Sequence, residues 1–158
     1  MGYTPFKDLA AGIVEVLTAT GKFRQVLFTQ ATNGAQLWDK IESLAALPAA
    51  VVAMGESDYG DRGLRRTVRP MIFMVAPFQR GMEREAGGLW DLLETVEAAF
   101  HPDEEGEDGI FKTICGIELH LENSVPIESP EKVSACCLTL AGTEFMQEST
   151  ADETTEEE

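Results

Sequence analysis

Ala49-Ala50-Val51-Val52-Ala53-Met54 and Met71-Ile72-Phe73-Met74-Val75-Ala76 are two apolar runs with no polar residue in either. Successive side chains on a strand point to opposite faces, so a strand that is apolar at every position is covered on both sides. Pro48 stands before the first run and Pro77 closes the second. Both runs are too short for an ordinary buried helix, and the pair predicts two central strands of one sheet.

Working outward, Gly55 to Arg69 between the two runs is rich in Gly, Asp and Arg. It is longer than a tight hairpin turn, which predicts a projecting, mobile loop. On the N-terminal side, Phe6, Leu9, Ile13, Val16, Leu17 and Thr20 recur at helical spacing. Thr4 is placed to cap that helix, Pro5 to occupy its first position and Gly21 to end it. A short strand is expected over Gln25–Thr29. A second helix is expected over about Ala35–Leu47, with Leu37, Ile41 and Leu44 inward. On the C-terminal side, the polar connection Gln79–Gly88 leads into a helix marked by Leu89, Leu92, Leu93, Val96 and Phe100. It stops at His101-Pro102, and Asp103–Gly109 comes next as an acidic loop.

Ile114–Glu122 alternates strictly, with Ile117, Leu119 and Leu121 on one face and Glu118, His120 and Glu122 on the other. That pattern predicts a strand with one wet face, and it puts Cys115 on the core side. Val133–Ala141 is the last expected strand. The order α-β-α-β-β-α-β-β lacks regular β-α-β alternation. It predicts an α+β domain over residues 1–145: a single mixed, mostly antiparallel sheet of about four to five strands with helices packed on it. Residues 146–158 read as an acidic, disordered tail.

The chain has 158 residues, enough for one domain with a real core, and a formal charge of −16. Such a charge argues against nucleic acid and anionic membranes as binding targets. No run approaches the roughly 20 apolar residues of a membrane-spanning helix, and the N-terminus lacks the pattern of a secretory signal. The cysteines Cys115, Cys136 and Cys137 are odd in number with two adjacent, so the expectation is reduced thiols in a cytoplasm. The charge is uneven. Glu144–Glu158 holds seven acids and no base, whereas six of the twelve basic residues lie between Arg62 and Arg84. Arg62, Arg65, Arg66, Arg69, Arg80 and Arg84 are therefore candidates for a subunit or partner interface, since Arg is the cation that protein interfaces favour.

Candidate chemistry is sparse. Glu118, His120 and Glu122 sit at alternate positions and could together hold a metal, which would suit a small metal-dependent enzyme. The same three residues are what the wet face of an amphipathic strand carries in any case. Cys115 with His101 or His120 as base would make a nucleophile, but a small cysteine on a core face is ordinarily inert. No phosphate-binding glycine loop and no nucleophile elbow is present. No cofactor is expected, and the reading is of a non-enzymatic protein. An acidic module that binds a basic partner through residues 144–158 is the other alternative.

Three stretches carry a resemblance. Leu47-Pro48-Ala49-Ala50-Val51-Val52-Ala53-Met54-Gly55 resembles the LPAV-V-Y segment of the Mu-like prophage family of small tail proteins, where it also comes after a short helix. Arg69-Pro70-Met71-Ile72-Phe73-Met74-Val75-Ala76 resembles that family's next strand. Arg80-Gly81, continuing through Leu89-Trp90-Asp91-Leu92-Leu93-Glu94-Thr95-Val96, resembles its Arg-Gly connection into a helix. The likeness covers about positions 5–145 in order of elements. Met54 stands where the family has an aromatic, and the acidic insert and tail are not shared. The resemblance implies a fold similar to that of phage tail terminators, which cap the tail tube and present a surface to the head. It implies a ring of identical subunits, typically a hexamer, around a channel through which DNA passes without being specifically bound. The implied partners are the tail tube protein and head–tail connector proteins. The implied location is the host cytoplasm during assembly and then the virion tail. No catalytic residue carries over, because that family has none.

Overall fold

Leu9, Ile13 and Leu17 recur every fourth residue, which lines them along one side of a 3.6-residue helix, and all three are fully buried. In the computed structural model, which describes residues 2–30, 39, 46–77, 88–100, 112–127 and 133–146, they lie on helix α1 (Phe6–Ala19). Thr20 Oγ1 donates to the Leu17 carbonyl at 2.6 Å, and Gly21 at φ +71° ends the helix in the left-handed conformation. Leu92, Val96 and Phe100 form the matching buried stripe of α2 (Leu89–Phe100).

The strands are β1 (Gln25–Phe28), β2 (Ala49–Met54), β3 (Asp58–Gly60), β4 (Arg65–Val68), β5 (Pro70–Pro77), β6 (Lys112–Ile114), β7 (Ile117–Ile127) and β8 (Val133–Phe145). They form one mixed sheet in which β1 and β2 are parallel and the other pairings are antiparallel. Its order is β1-β2-β5-β8-β4-β3, with β7 on the other edge of β8 and β6 beyond it. The fold is therefore α+β with a mostly antiparallel sheet, as the sequence predicts.

Both helices cover one face. Their stripes pack with Ala50, Val52, Ile72, Met74, Leu138 and Leu140 into the larger core. On the opposite face Val51, Ala53, Phe73, Val75, Ala135 and Cys137 are buried together. The two runs that the sequence predicts to be doubly covered strands are just that: Ala49–Ala53 and Ile72–Ala76 are buried at every position. Each such Val, Ile or Met contributes about 1.5–3 kcal/mol through removal from water, so this two-sided burial anchors the domain.

Three sequence expectations need correction. Among the described residues the sheet has eight strands, not four or five. Gly55–Arg69 is no projecting loop. It contains β3, one 3₁₀ turn (Asp61–Gly63) and β4, because β8 continues past Ala141 and offers Gly142–Phe145 as a partner for β4. Cys115 is not core. It is exposed at a two-residue turn between β6 and β7, where Cys115 (φ +54°) and Gly116 (φ +79°) are both left-handed. The expected helix over Ala35–Leu47, the Gln79–Gly88 connection, the Asp103–Gly109 loop and residues 147–158 lie outside the described residues, apart from the few positions given above.

Candidate protein-interaction surface

Residues 65–77 and 133–145 form one long antiparallel ribbon. The register Met71↔Thr139 on β5 continues unshifted as Val68↔Gly142 on β4, interrupted at Arg69 and Pro70. On the other side of this ribbon β2 and β3 succeed each other, with an offset of one residue between Met54↔Pro70 and Asp58↔Thr67. The offset falls at Gly55, whose N–H donates to the Arg69 carbonyl at 2.8 Å. A Cβ on Gly55 would stand 2.7 Å from that carbonyl oxygen, which is why a glycine is needed there. The result is a long hairpin that turns at Asp61–Leu64.

Alternation assigns the side chains of this end. Arg66, Glu144 and Tyr59 share the helix-side face, while Arg65, Thr67, Thr143 and Phe145 share the other. Arg66 is only 6% exposed. Its Nη2 donates to Glu144 Oε1 at 2.6 Å and to the Thr4 carbonyl at 2.7 Å. The guanidinium carbon lies 4.7 Å from the Tyr3 ring centre and 4.6 Å from that of Phe6, a stacked position worth about 0.5–2 kcal/mol per ring. Glu144 also accepts from Thr4 N at 2.9 Å and from Thr4 Oγ1 at 2.8 Å. The Thr4 hydroxyl is thus engaged by Glu144, and α1 begins after Pro5 without a side-chain cap. Tyr3 completes the cluster by donating its hydroxyl to the Gly63 carbonyl. Burial pushes the Tyr3 phenol above its ordinary value of 10.0, with Arg66 opposing.

This cluster fixes the hairpin end, and the end itself is exposed. Tyr59 is 61% exposed, Leu64 55% and Phe145 62%. Arg62 lies among them at φ +60°, between Asp61 (φ +51°) and Gly63 (φ +88°), and among the described residues no acid pairs with it. Among the described residues the acid that Arg65 reaches is the exposed Asp61, at 4.0 Å. Scattered apolar residues on a surface are ordinary, but this one hairpin end carries exposed Tyr59 on its helix-side face, Phe145 with Arg65 on the other, and Leu64 and Arg62 at its turn, which makes the end of an acidic molecule a candidate contact element.

The six candidate arginines thus separate. Arg62 and Arg65 face solvent at the hairpin end. Arg66 is inside, neutralised by Glu144. Arg69 is tied down by Asp58 at 2.5 Å and Glu122 at 3.5 Å. Arg80 and Arg84 lie outside the described residues. Tyr59, Leu64 and Phe145 are not among the candidates that the sequence yields. The first two fall in a segment whose composition predicts a loop, and Phe145 lies past Ala141, where the apolar pattern of the last strand ends. The alternation of Arg66 with Val68, both buried, is the signal that marks β4.

Glu118, His120 and Glu122 are exposed on β7, opposite the buried Ile117 and Leu119, as the strand pattern predicts. Glu122 is engaged with Arg69. Among the described residues no group of three or more His, Cys, Asp or Glu side chains is placed to hold a metal ion. An open groove lies between α1, α2 and β6, lined by Gly12, Glu15, Val16, Ala99, Thr113 and Cys115. Among the described residues Glu15 is the only charged one along it. Among the described residues no helix is long and apolar enough to cross a membrane. No family model matches the chain, and no curated protein matches it.

Proposed function

We propose that this chain is a structural, non-enzymatic subunit of a phage-type tail, which closes the tail tube and joins it to the head as a ring of identical copies. The observation that carries the reading is the hairpin end: exposed Tyr59, Leu64 and Phe145 with Arg62 and Arg65, mounted on a buried Arg66–Glu144 pair. A rigid support lowers the ordering cost of binding, which is what an assembly surface needs. The resemblance of residues 47–55, 69–76 and 80–96 to small prophage tail proteins gives that surface its context. The charge of −16 per chain supports it further, since an acidic channel wall lets DNA slide past without sticking. The same charge makes copies repel one another, so the exposed arginines belong at subunit contacts or against the tube protein. The place of action is the host cytoplasm during assembly and then the virion tail.

The test is genetic and structural. Cells in which the gene is deleted are expected to produce tails of aberrant length or tails without heads, seen by negative-stain microscopy. The doubly reversed variant R62E/R65E should fold normally yet complete few tails, and the salt dependence of assembly should change. Normal virions from the deletion strain would dismiss the proposal.

A further inference from the structure

The sheet changes partners along one line. On the core side of it β8 lies between β5 and β7, whereas among the described residues Gly142–Phe145 pair with β4 alone. Every strand that crosses the line is irregular there. The β8 register skips Arg69 and Pro70 opposite Ala141 and Leu140, and Pro70 has no N–H to offer. The passage from β2 to β3 slips by one residue at Gly55, and β8 itself crosses at Gly142. Beyond the line, Val68 is the only described side chain of 58–68 and 143–146 that belongs to either buried core. Apolar packing therefore does little to fix the hairpin end, and contacts that cross the line set its position. Two braces do so, one on each face. On the helix-side face the arm that leads into α1 holds the end, Tyr3 through the Gly63 carbonyl and Thr4 through Glu144 and Arg66. On the other face Arg69 ties Asp58 of β3 to Glu122 of β7, at 2.5 and 3.5 Å.

We infer that the line through Gly55, Arg69–Pro70 and Gly142 is a hinge, and that the hairpin end turns on it as one body when the arm and Arg69 let go. Hinges are a few residues at the ends of elements that absorb backbone rotation, and two of these crossings are glycines. The braces differ in strength. The Arg69 pairs are partly exposed, which makes them weak and sensitive to salt. The arm closes over the buried Arg66–Glu144 pair and is the main latch. A partner that engages Arg62 or Leu64 works on the two neighbours of Gly63, whose carbonyl takes the Tyr3 hydroxyl. Binding at the turn and docking of the arm are therefore linked, and each shifts the other by the same factor. Leu64 stands about 20 Å along β4 from Pro70 at about 3.3 Å per residue, so a turn of about 20° moves it by about 7 Å. The use of this movement in assembly rests on the tail-tube reading; the hinge does not.

Pulsed electron spin resonance on the full-length chain tests this. Nitroxides go on L64C at the hairpin end and A98C on α2, both exposed positions, in a C115N background that removes the exposed native thiol. With the braces intact one main distance is expected. Y3A/T4A/R69Q should add a second population displaced by about 5 Å or more. Hydrogen exchange over 58–68 should stay as slow as before, because the β3–β4 pairing travels with the end. Y3F, which keeps the ring over Arg66 and loses only the hydroxyl bond, should shift a smaller fraction in the same direction. If the triple variant does not fold, Y3F/R69Q takes its place. A single unchanged distance in the folded variants would overturn the proposal. So would loss of exchange protection confined to 58–68, which would mean that the end melts and does not turn. A deletion strain with normal virions would sink the tail-tube role while leaving the hinge intact, so the two failures are separable.

Discussion

Arg66 on β4 and Glu144 on β8 face each other across the sheet, Nη2 to Oε1 at 2.6 Å, with side chains only 8% and 13% exposed. The pair joins three parts of the chain: the Thr4 carbonyl and amide, the hairpin and the last strand. Removing one partner leaves the other charge buried. E144A and R66A are each expected to cost about 3–5 kcal/mol in urea unfolding. The apolar replacement R66M/E144L is expected to recover most of that loss, since two well-packed side chains avoid the desolvation penalty. A single-variant loss below about 1 kcal/mol would mean that the pair is solvated in solution.

The β6–β7 turn gives an opposite expectation. Cys115 and Gly116 are the two central residues between Ile114 and Ile117, both at positive φ, as a type I′ turn requires. Asn tolerates the left-handed region better than Cys, and Asn-Gly is the favoured pair in such a turn. C115N is therefore expected to stabilise the domain by about 0.5–1 kcal/mol, seen as a raised thermal midpoint. A lowered midpoint would mean that the Cys115 thiol contributes more than its long contact to the Asp8 carbonyl, 3.7 Å, suggests.

Burial imposes its pattern locally, and that part of the fold is legible in the sequence. The stripes of α1 and α2, the two doubly covered strands and the alternation of β7 each arise from one element meeting one environment, so each carries a period that can be read alone. The hairpin end carries no such period. Asp58–Gly60 and Arg65–Val68 are polar and short, and they become strands because Gly142–Phe145 pairs with β4 from some 80 residues away. Arg66 looks like a surface cation in the sequence for the same reason. Its burial depends on Glu144, Thr4 and two aromatic rings that converge only in the fold. Cys115 extends the alternation of β7 in the sequence, but the turn before Ile117 breaks that alternation in space. Of the candidate interface, the arginine cluster is legible from composition, whereas the apolar half is not.

Gly142 sits where the neighbour of β8 on one edge changes from β5 to β4, one residue past Ala141, which pairs with β7 on the other edge. A Cβ there would lie 2.7 Å from Ile117 Cγ2 and 2.9 Å from the Glu118 carbonyl oxygen. The Ile117 side chain can shift; the carbonyl cannot without disturbing β7. G142A is expected to cost about 1–3 kcal/mol by overpacking. Unchanged stability would show that β7 yields at this point.

The adjacent buried thiols of β8, one on each face of the sheet, make stability fall in alkali. Burial pushes Cys136 from 9.0 up to about 12, helped by neighbouring Cys137 and Glu97. Burial likewise pushes Cys137 up to about 11, against a hydrogen bond to Thr139. In the unfolded chain both thiols ionise near pH 9, while the folded chain keeps its protons. The unfolded state then binds fewer protons, so stability is fully present below pH 9 and is lost as pH rises toward about 11–12. The limiting slope is about 1.4 kcal/mol per pH unit for each thiol. Urea titrations at stepwise pH should show this fall, and C136A/C137A should flatten it, although its stability at neutral pH will be lower. The same burial predicts thiol reactivity at about pH 8: Cys115 should react with Ellman's reagent within minutes, whereas Cys136 and Cys137 should react only as fast as the domain opens. Three equally fast thiols in the native chain would contradict the buried placement of β8.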